Sequence, residues 1–336
     1  MTHRLVSKPS LPSTTNMKSS TVTSPLLVNA VAAKTVVSPA SVLQILQGLI
    51  LLSAIPIAMG LGSKAVRNSP HLFRIIWVAA YLSNLVTVSI PGRFDGQVSS
   101  SSGKVEFPWK TVFAPAGWAF AIWGIIYLSE TIMVGYVGAV GLPTEVLRKA
   151  APYWVMGNLF QSVWTYLFRE QYKSAMWLPM IALALGSASL FTAHGLLTDA
   201  ILPSMSTWEK VRVIAIRSPI SLHATWLTAA SILNLNAWVS LSNSSLGFQV
   251  ATGFASAYFV AIAGIIIAVK KGDPLVALVV AWALAAVSSQ TKAGCQVSEL
   301  PNSTVDALVI TEKVLSNIMI GTALAAPTLS KVIKLF

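Results

Sequence analysis

The chain has 336 residues, 54% of them hydrophobic and only 10% charged, with a mean hydropathy of +0.69. A soluble domain carries about 45–50% apolar and about 25% charged residues, so this composition excludes one and defines a polytopic membrane protein. The net charge of +12 does not indicate nucleic-acid binding, because the basic residues are scattered through short loops, as headgroup contact and topology selection require.

Residues 1–40 are rich in Ser, Thr and Pro, carry Arg4, Lys8, Lys18 and Lys34, and contain no acid; the first acidic residue of the chain is Asp95. Such a segment buries too little apolar surface to fold alone, and reads either as a disordered tail or as an organelle transit peptide. A single arginine favours a plastid address over a mitochondrial one. The lone cysteine, Cys295, excludes an internal disulfide and a cysteine-based metal cluster.

Apolar runs of about 20 residues, enough to cross about 30 Å of hydrocarbon at 1.5 Å per residue, mark the spans. They fall at Val42–Leu61, Leu72–Ile90, Ala116–Val140, Tyr153–Phe168, Trp177–Leu197, Ile220–Leu241, Phe248–Val269 and Leu275–Ser289. Val305–Ala326, broken by Glu312, Lys313 and Asn317, reads either as a ninth span or as an interfacial helix. Residues 97–103 form a polar loop. Lys and Arg are more frequent in the loops at 63–71, 142–152, 198–218 and 270–274, which the positive-inside tendency places on the side of insertion. The expected fold is therefore all-α, a transmembrane bundle of eight or nine spans.

Polar groups inside the spans are where function is expected, because an ionised side chain near the midplane costs about 2.5–3.5 kcal/mol and must be paired or hydrated. At helical pitch, Phe120, Trp123, Tyr127 and Glu130 share one face of the third span. Trp154, Asn158, Gln161 and Thr165 share a face of the fourth, and His223, Trp226, Asn234 and Trp238 a face of the sixth. Taken singly, such rings and amides also suit plain helix packing and interhelical hydrogen bonds. Three stripes of indoles and amides, with one acid (Glu130) and one imidazole (His223) among them, point to a shared hollow that takes a flat hydrophobic guest. His194, near the end of the fifth span, reads as interfacial.

The run Pro115–Tyr127, with Trp118-Ala-Phe120 and Trp123 four residues before Tyr127, resembles the signature of the translocator protein (tryptophan-rich sensory protein) family. The run from Trp226 through Leu233-Asn234 to Trp238 is similar to that family's last core helix, and the fourth span, with Asn158, Trp164 and Phe168, to its middle helix. Departures are a missing second proline at the start of the third span, one residue fewer between Trp118 and Trp123, and Leu222-His223 where the family commonly has Pro-Tyr. The resemblance implies a five-helix core over residues 70–242, with an extra helix in 41–69 and additional helices in 243–336. It further implies a pocket for a tetrapyrrole (a porphyrin, haem or chlorophyll precursor), with Trp118, Trp123, Tyr127, Trp226, Asn234 and Trp238 at matching positions and Phe120, Glu130, Asn158, Gln161, Trp164 and His223 beside them.

No phosphate-binding loop, metalloprotease motif, paired carboxylates or serine nucleophile elbow is present, so an enzyme is not expected. No cofactor beyond the tetrapyrrole ligand is implied. Expected partners are membrane lipids and a small hydrophobic ligand, with homodimerisation left open. Two other readings remain: a solute or ion transporter using Glu130 and His223, and a structural subunit whose aromatic stripes face lipid or a partner.

Overall fold

The computed structural model describes residues 69–96, 107–140, 145–293, 297 and 299–333. The expected first span at Val42–Leu61, the N-terminal segment, the loop at 97–103 and Cys295 lie outside the described residues.

Eight long helices make up the described chain: α1 (Pro70–Ser89), α2 (Ile122–Val140), α3 (Glu145–Leu167), α4 (Trp177–Asp199), α5 (Thr207–Leu241), α6 (Leu246–Lys271), α7 (Pro274–Ala293) and α8 (Asn302–Ile333). A 3₁₀ turn, Gly117–Ala121, leads into α2. Their ends follow local rules. Ser69 caps α1 ahead of Pro70, and Ser206 with Glu209 closes a capping box on α5. Between α6 and α7 the chain turns in two residues, Gly272 and Asp273. Gly272 takes the left-handed conformation (φ 61°), the Asp273 N–H bonds the Ala268 carbonyl, and the Asp273 carboxylate caps α7 at Leu275 N–H ahead of Pro274.

Among the described residues, six segments are long and apolar enough to cross a membrane: Pro70–Ser89, Gly117–Val140, Trp177–Asp199, Leu246–Lys271, Pro274–Lys292 and Asn302–Ile333. Helices α3 and α5 are less apolar because they are enclosed by neighbours. α3 packs on α1 and α4, and α5 packs on α2, α4, α6 and α7. Their polar residues therefore point at protein rather than lipid, as at Asn158, Gln161, His223 and Asn234, all of them buried.

The helices alternate in direction. α1 and α3 run parallel: Trp77 stacks on Trp154 (5.1 Å), Asn84 bonds Asn158 (2.9 Å), and Arg169, just past α3, donates to Pro91 O (2.7 Å) just past α1. The Arg169 guanidinium lies 2.7 Å from where a Cβ on Gly92 would stand, and Gly92 has φ 101°, so both space and backbone demand glycine there. On the other side, α7 is tied to the start of α2 by Ala116 N–H to Ala286 O (2.9 Å) and by the Trp282 indole N–H to Ala119 O (3.0 Å). Small residues (Ala229, Ala283, Ala286) line that seam and let the helices approach closely.

One expectation is settled by packing. α8 is a helix of 32 residues packed along α6 and α7, with Glu312 fully buried, so it belongs to the bundle instead of lying on its surface. His194, near the end of α4, is buried in protein beside the α6–α7 turn: it is 1% exposed and bonded to Asp273 Oδ2 at 2.8 Å. Around that carboxylate, Ser221 O–H also donates to Oδ2 (2.8 Å), and the Arg217 Nε lies 3.5 Å away. Sequence reading missed this corner because its members come from α4, α5 and the α6–α7 turn.

Candidate functional site

The end of the bundle where α1, α3 and α5 finish holds an aromatic pocket. Its floor is α5 (Trp226, Ala230, Leu233, Asn234, Ala237), its walls are Phe120, Trp123, Trp164 and Phe168, and its cover is the segment 107–115. That cover is built from rings: Phe94 meets Trp109 edge-on (5.0 Å) and Phe168 edge-on (5.2 Å), while Phe107 stacks on Trp109 (5.0 Å). The Ser240 hydroxyl donates to the Lys110 carbonyl and fixes the cover to the end of α5.

The pocket contains about 520 Å³ of empty space counted to its open mouth. It is a set of slots between touching rings, with Trp123 edge-on to Trp226 (6.1 Å), Phe120 edge-on to Trp226 (6.3 Å) and Trp164 near-parallel to Trp123 (6.3 Å). A large flat guest enters only as one of these rings swings aside. Three polar atoms in the lining have no protein partner: the indole nitrogens of Trp164 and Trp226, and Asn234 Oδ1. Asn234 spends its amide on the Ala230 carbonyl (2.8 Å), leaving the oxygen open. Behind the lining, Arg93 sits over the Trp164 ring (5.6 Å) and pairs with Asp95 (2.8 Å), which itself lines the pocket.

Beneath the pocket lies a buried polar belt. Asn84 of α1 donates to both Asn158 and Gln161 of α3, and Gln161 in turn donates to the Tyr127 hydroxyl (2.8 Å). Tyr81 continues the belt to Thr131 (2.6 Å). Beside it, His223 Nδ1 and Glu130 Oε1 stand 2.7 Å apart with both side chains fully buried. Glu130 Oε2 and His223 Nε2 have no further partner. Trp123 meets the His223 ring edge-on at 6.0 Å, so this pair abuts the pocket wall.

The expected site residues thus fall into three groups. Phe120, Trp123, Trp164, Trp226 and Asn234 meet around the pocket. Tyr127, Glu130, Asn158, Gln161 and His223 form the layer below. Trp118 and Trp238 join neither. Trp118 is 44% exposed and packs edge-on against Trp282 (4.9 Å), while Trp238 borders a shallow depression with Glu170 and Lys173. Residues 107–115 and Asn84 were missed. The signals were there: Phe107, Trp109 and Phe113 are large rings in a connection, and Asn84 is an amide in the middle of a span.

The fold and the site define a multi-pass helical membrane protein with an aromatic-lined pocket closed at one end by a connecting segment. The chain belongs to the TSPO-like protein family, whose model matches residues 72–325, from the first turn of α1 into α8. No curated protein and no solved structure matches it.

Proposed function

We propose that this protein binds a hydrophobic, flat-ringed ligand, a tetrapyrrole, in the pocket between α2, α3 and α5, and acts in sensing, transport or handling of it without chemical turnover. The observation that carries the reading is the unpartnered set inside a mostly apolar, aromatic lining: two indole N–H donors and one amide oxygen. A buried donor or acceptor without a partner costs about 1–3 kcal/mol, a cost that a ring bearing both pyrrole N–H groups and acceptors would offset while stacking on the indoles. The charge of Arg93, over the Trp164 ring, suits the peripheral carboxylates of such a ring. An organelle membrane, a plastid one in the first instance, is the compartment proposed from the acid-free, hydroxyl-rich N-terminal segment.

The test is titration of the purified protein with protoporphyrin, read by quenching of tryptophan fluorescence. Trp123→Leu and Trp226→Leu should each weaken binding up to about tenfold, the value of one lost aromatic pair. Quenching unchanged in both variants sinks the reading. A second reading, a transporter that moves protons or counter-charges through Glu130 and His223, draws on the two unpartnered atoms of that buried pair. It predicts that Glu130→Gln loses proton-coupled flux in vesicles while retaining porphyrin binding.

A further inference from the structure

At the opposite end of the bundle from the aromatic pocket, α5 begins at Thr207 beside the start of α3 and the end of α4. With 35 residues it is about 52 Å long at 1.5 Å per residue, against about 30 Å of hydrocarbon, so its first turns leave the apolar slab. Those turns are two-sided. Trp208 (75% exposed), Val211 and Ile214 form an outward stripe at steps of three, the placement of an interfacial anchor. The inner side closes a cavity against α3 and the end of α4, lined by Leu147, Leu197, Ala200, Met205, Val213 and Ile216, with about 760 Å³ of empty space counted to its mouth.

Only two charged residues, Glu209 and Arg212, line this cavity. The Glu209 carboxylate is already engaged, accepting from the Ser206 N–H (2.8 Å) and O–H (2.7 Å) at the start of α5. Arg212 has no carboxylate within ion-pair distance among the described residues. Arg148, next to Leu147 on α3, has a buried Nε with no hydrogen-bond partner. Lys149 and Lys210 add cationic charge at the same end, Lys149 reaching Glu145 only at 3.8 Å. The result is an apolar chamber with a positively charged rim, set where the bundle leaves the hydrocarbon.

We infer that this cavity is a binding site for an anionic phospholipid, its acyl chain among Leu147, Leu197 and Ile216 and its phosphate against Arg212, with Arg148, Lys149 and Lys210 adding cationic charge at the same end. A soluble anion leaves the apolar wall wet. A zwitterionic lipid brings an ammonium group into the same cationic rim, so net negative charge is what the site selects.

The full chain, delipidated in detergent, would be titrated with phosphatidylglycerol, phosphatidylcholine and inorganic phosphate, and lipid retention read by native mass spectrometry alongside the thermal midpoint. Phosphatidylglycerol should be retained and raise the midpoint, phosphatidylcholine should bind at least about fivefold more weakly, and phosphate should do nothing. Arg212→Gln should weaken phosphatidylglycerol about fivefold, about the value of one basic residue at a lipid surface. Ala200→Phe, which fills the chamber without touching a charge, should abolish retention, whereas Lys331→Gln, exposed on the last turns of α8, should behave as the parent. Equal binding of the two lipids, an unchanged response in both Arg212→Gln and Ala200→Phe, or stabilisation by phosphate alone would each overturn the inference. The outcome is independent of whether the aromatic pocket takes a tetrapyrrole.

Discussion

The Glu130–His223 pair offers the sharpest test of how the middle of this bundle is held. Both side chains are fully buried, the Nδ1–Oε1 distance is 2.7 Å, and neither group has a second partner for its remaining atom. Glu130→Leu strands a buried imidazole, and His223→Leu strands a buried carboxyl, so each single change should cost about 3–5 kcal/mol, the range for breaking a buried ion pair from one side. The double variant places two apolar side chains where the pair stood and should recover most of that loss, giving a coupling of about 3 kcal/mol. The alternative is that only a neutral hydrogen bond joins them. Cycles on such bonds inside membrane proteins average about 0.6 kcal/mol and reach about 1.7, because the unfolded chain in the bilayer finds other partners. A denaturant titration of all four proteins in mixed micelles, followed by tryptophan fluorescence, measures the coupling. A value below about 1 kcal/mol would refute the charged-pair reasoning and leave the transporter reading without its motivation.

Other consequences follow from single contacts. A Cβ on Gly157 would stand 2.4 Å from Leu190 Cδ2, so Gly157→Ala should push α3 from α4 and cost about 1–3 kcal/mol; Gly135→Ala, with no atom within 4 Å, should gain about 0.5–1 kcal/mol, both read from unfolding midpoints. Glu312 is fully buried on α8 with only the Thr291 hydroxyl beside its carboxyl and no counter-charge among the described residues, so Glu312→Leu should stabilise the protein by about 1–3 kcal/mol, and a loss instead would show that the Thr291 contact outweighs the cost of burial. Burial pushes the Asp273 carboxyl up, but the His194 and Ser221 hydrogen bonds and the Arg217 charge together outweigh it and hold it below the usual carboxylate range. A depressed carboxyl contributes stability above its unfolded value of about 3.9 and loses it as pH falls through the folded value, so the thermal midpoint should drop on acidification in that window and drop less in Asp273→Asn.

The division between what was legible in the sequence and what was not follows the range of the interactions. Hydropathy is a property of one segment at a time. The all-α membrane class and the spans at Leu72–Ile90, Trp177–Leu197 and Phe248–Val269 could therefore be read from apolar run lengths to within a few residues of α1, α4 and α6. The spacing of Phe120, Trp123 and Trp226, Asn234 along their own helices likewise marked the faces that turn inward, since helical pitch is local. The depth of each residue along the bundle, and its neighbours across it, were not legible. Tyr127, Glu130 and His223 sit a layer below the indoles with which their stripes had grouped them, and Asn158 and Gln161 join that layer above their own stripe's Trp154, because the stagger of one helix against another is set by side-chain packing between segments distant in sequence. The same holds for Trp118, which turned outward to Trp282, and for His194, drawn inward by an aspartate at a turn 79 positions along the chain. Composition and periodicity decided that this protein is a membrane bundle with aromatic and polar inner faces; only the tertiary structure decided which of those faces meet, because that depends on how eight helices share a finite interior.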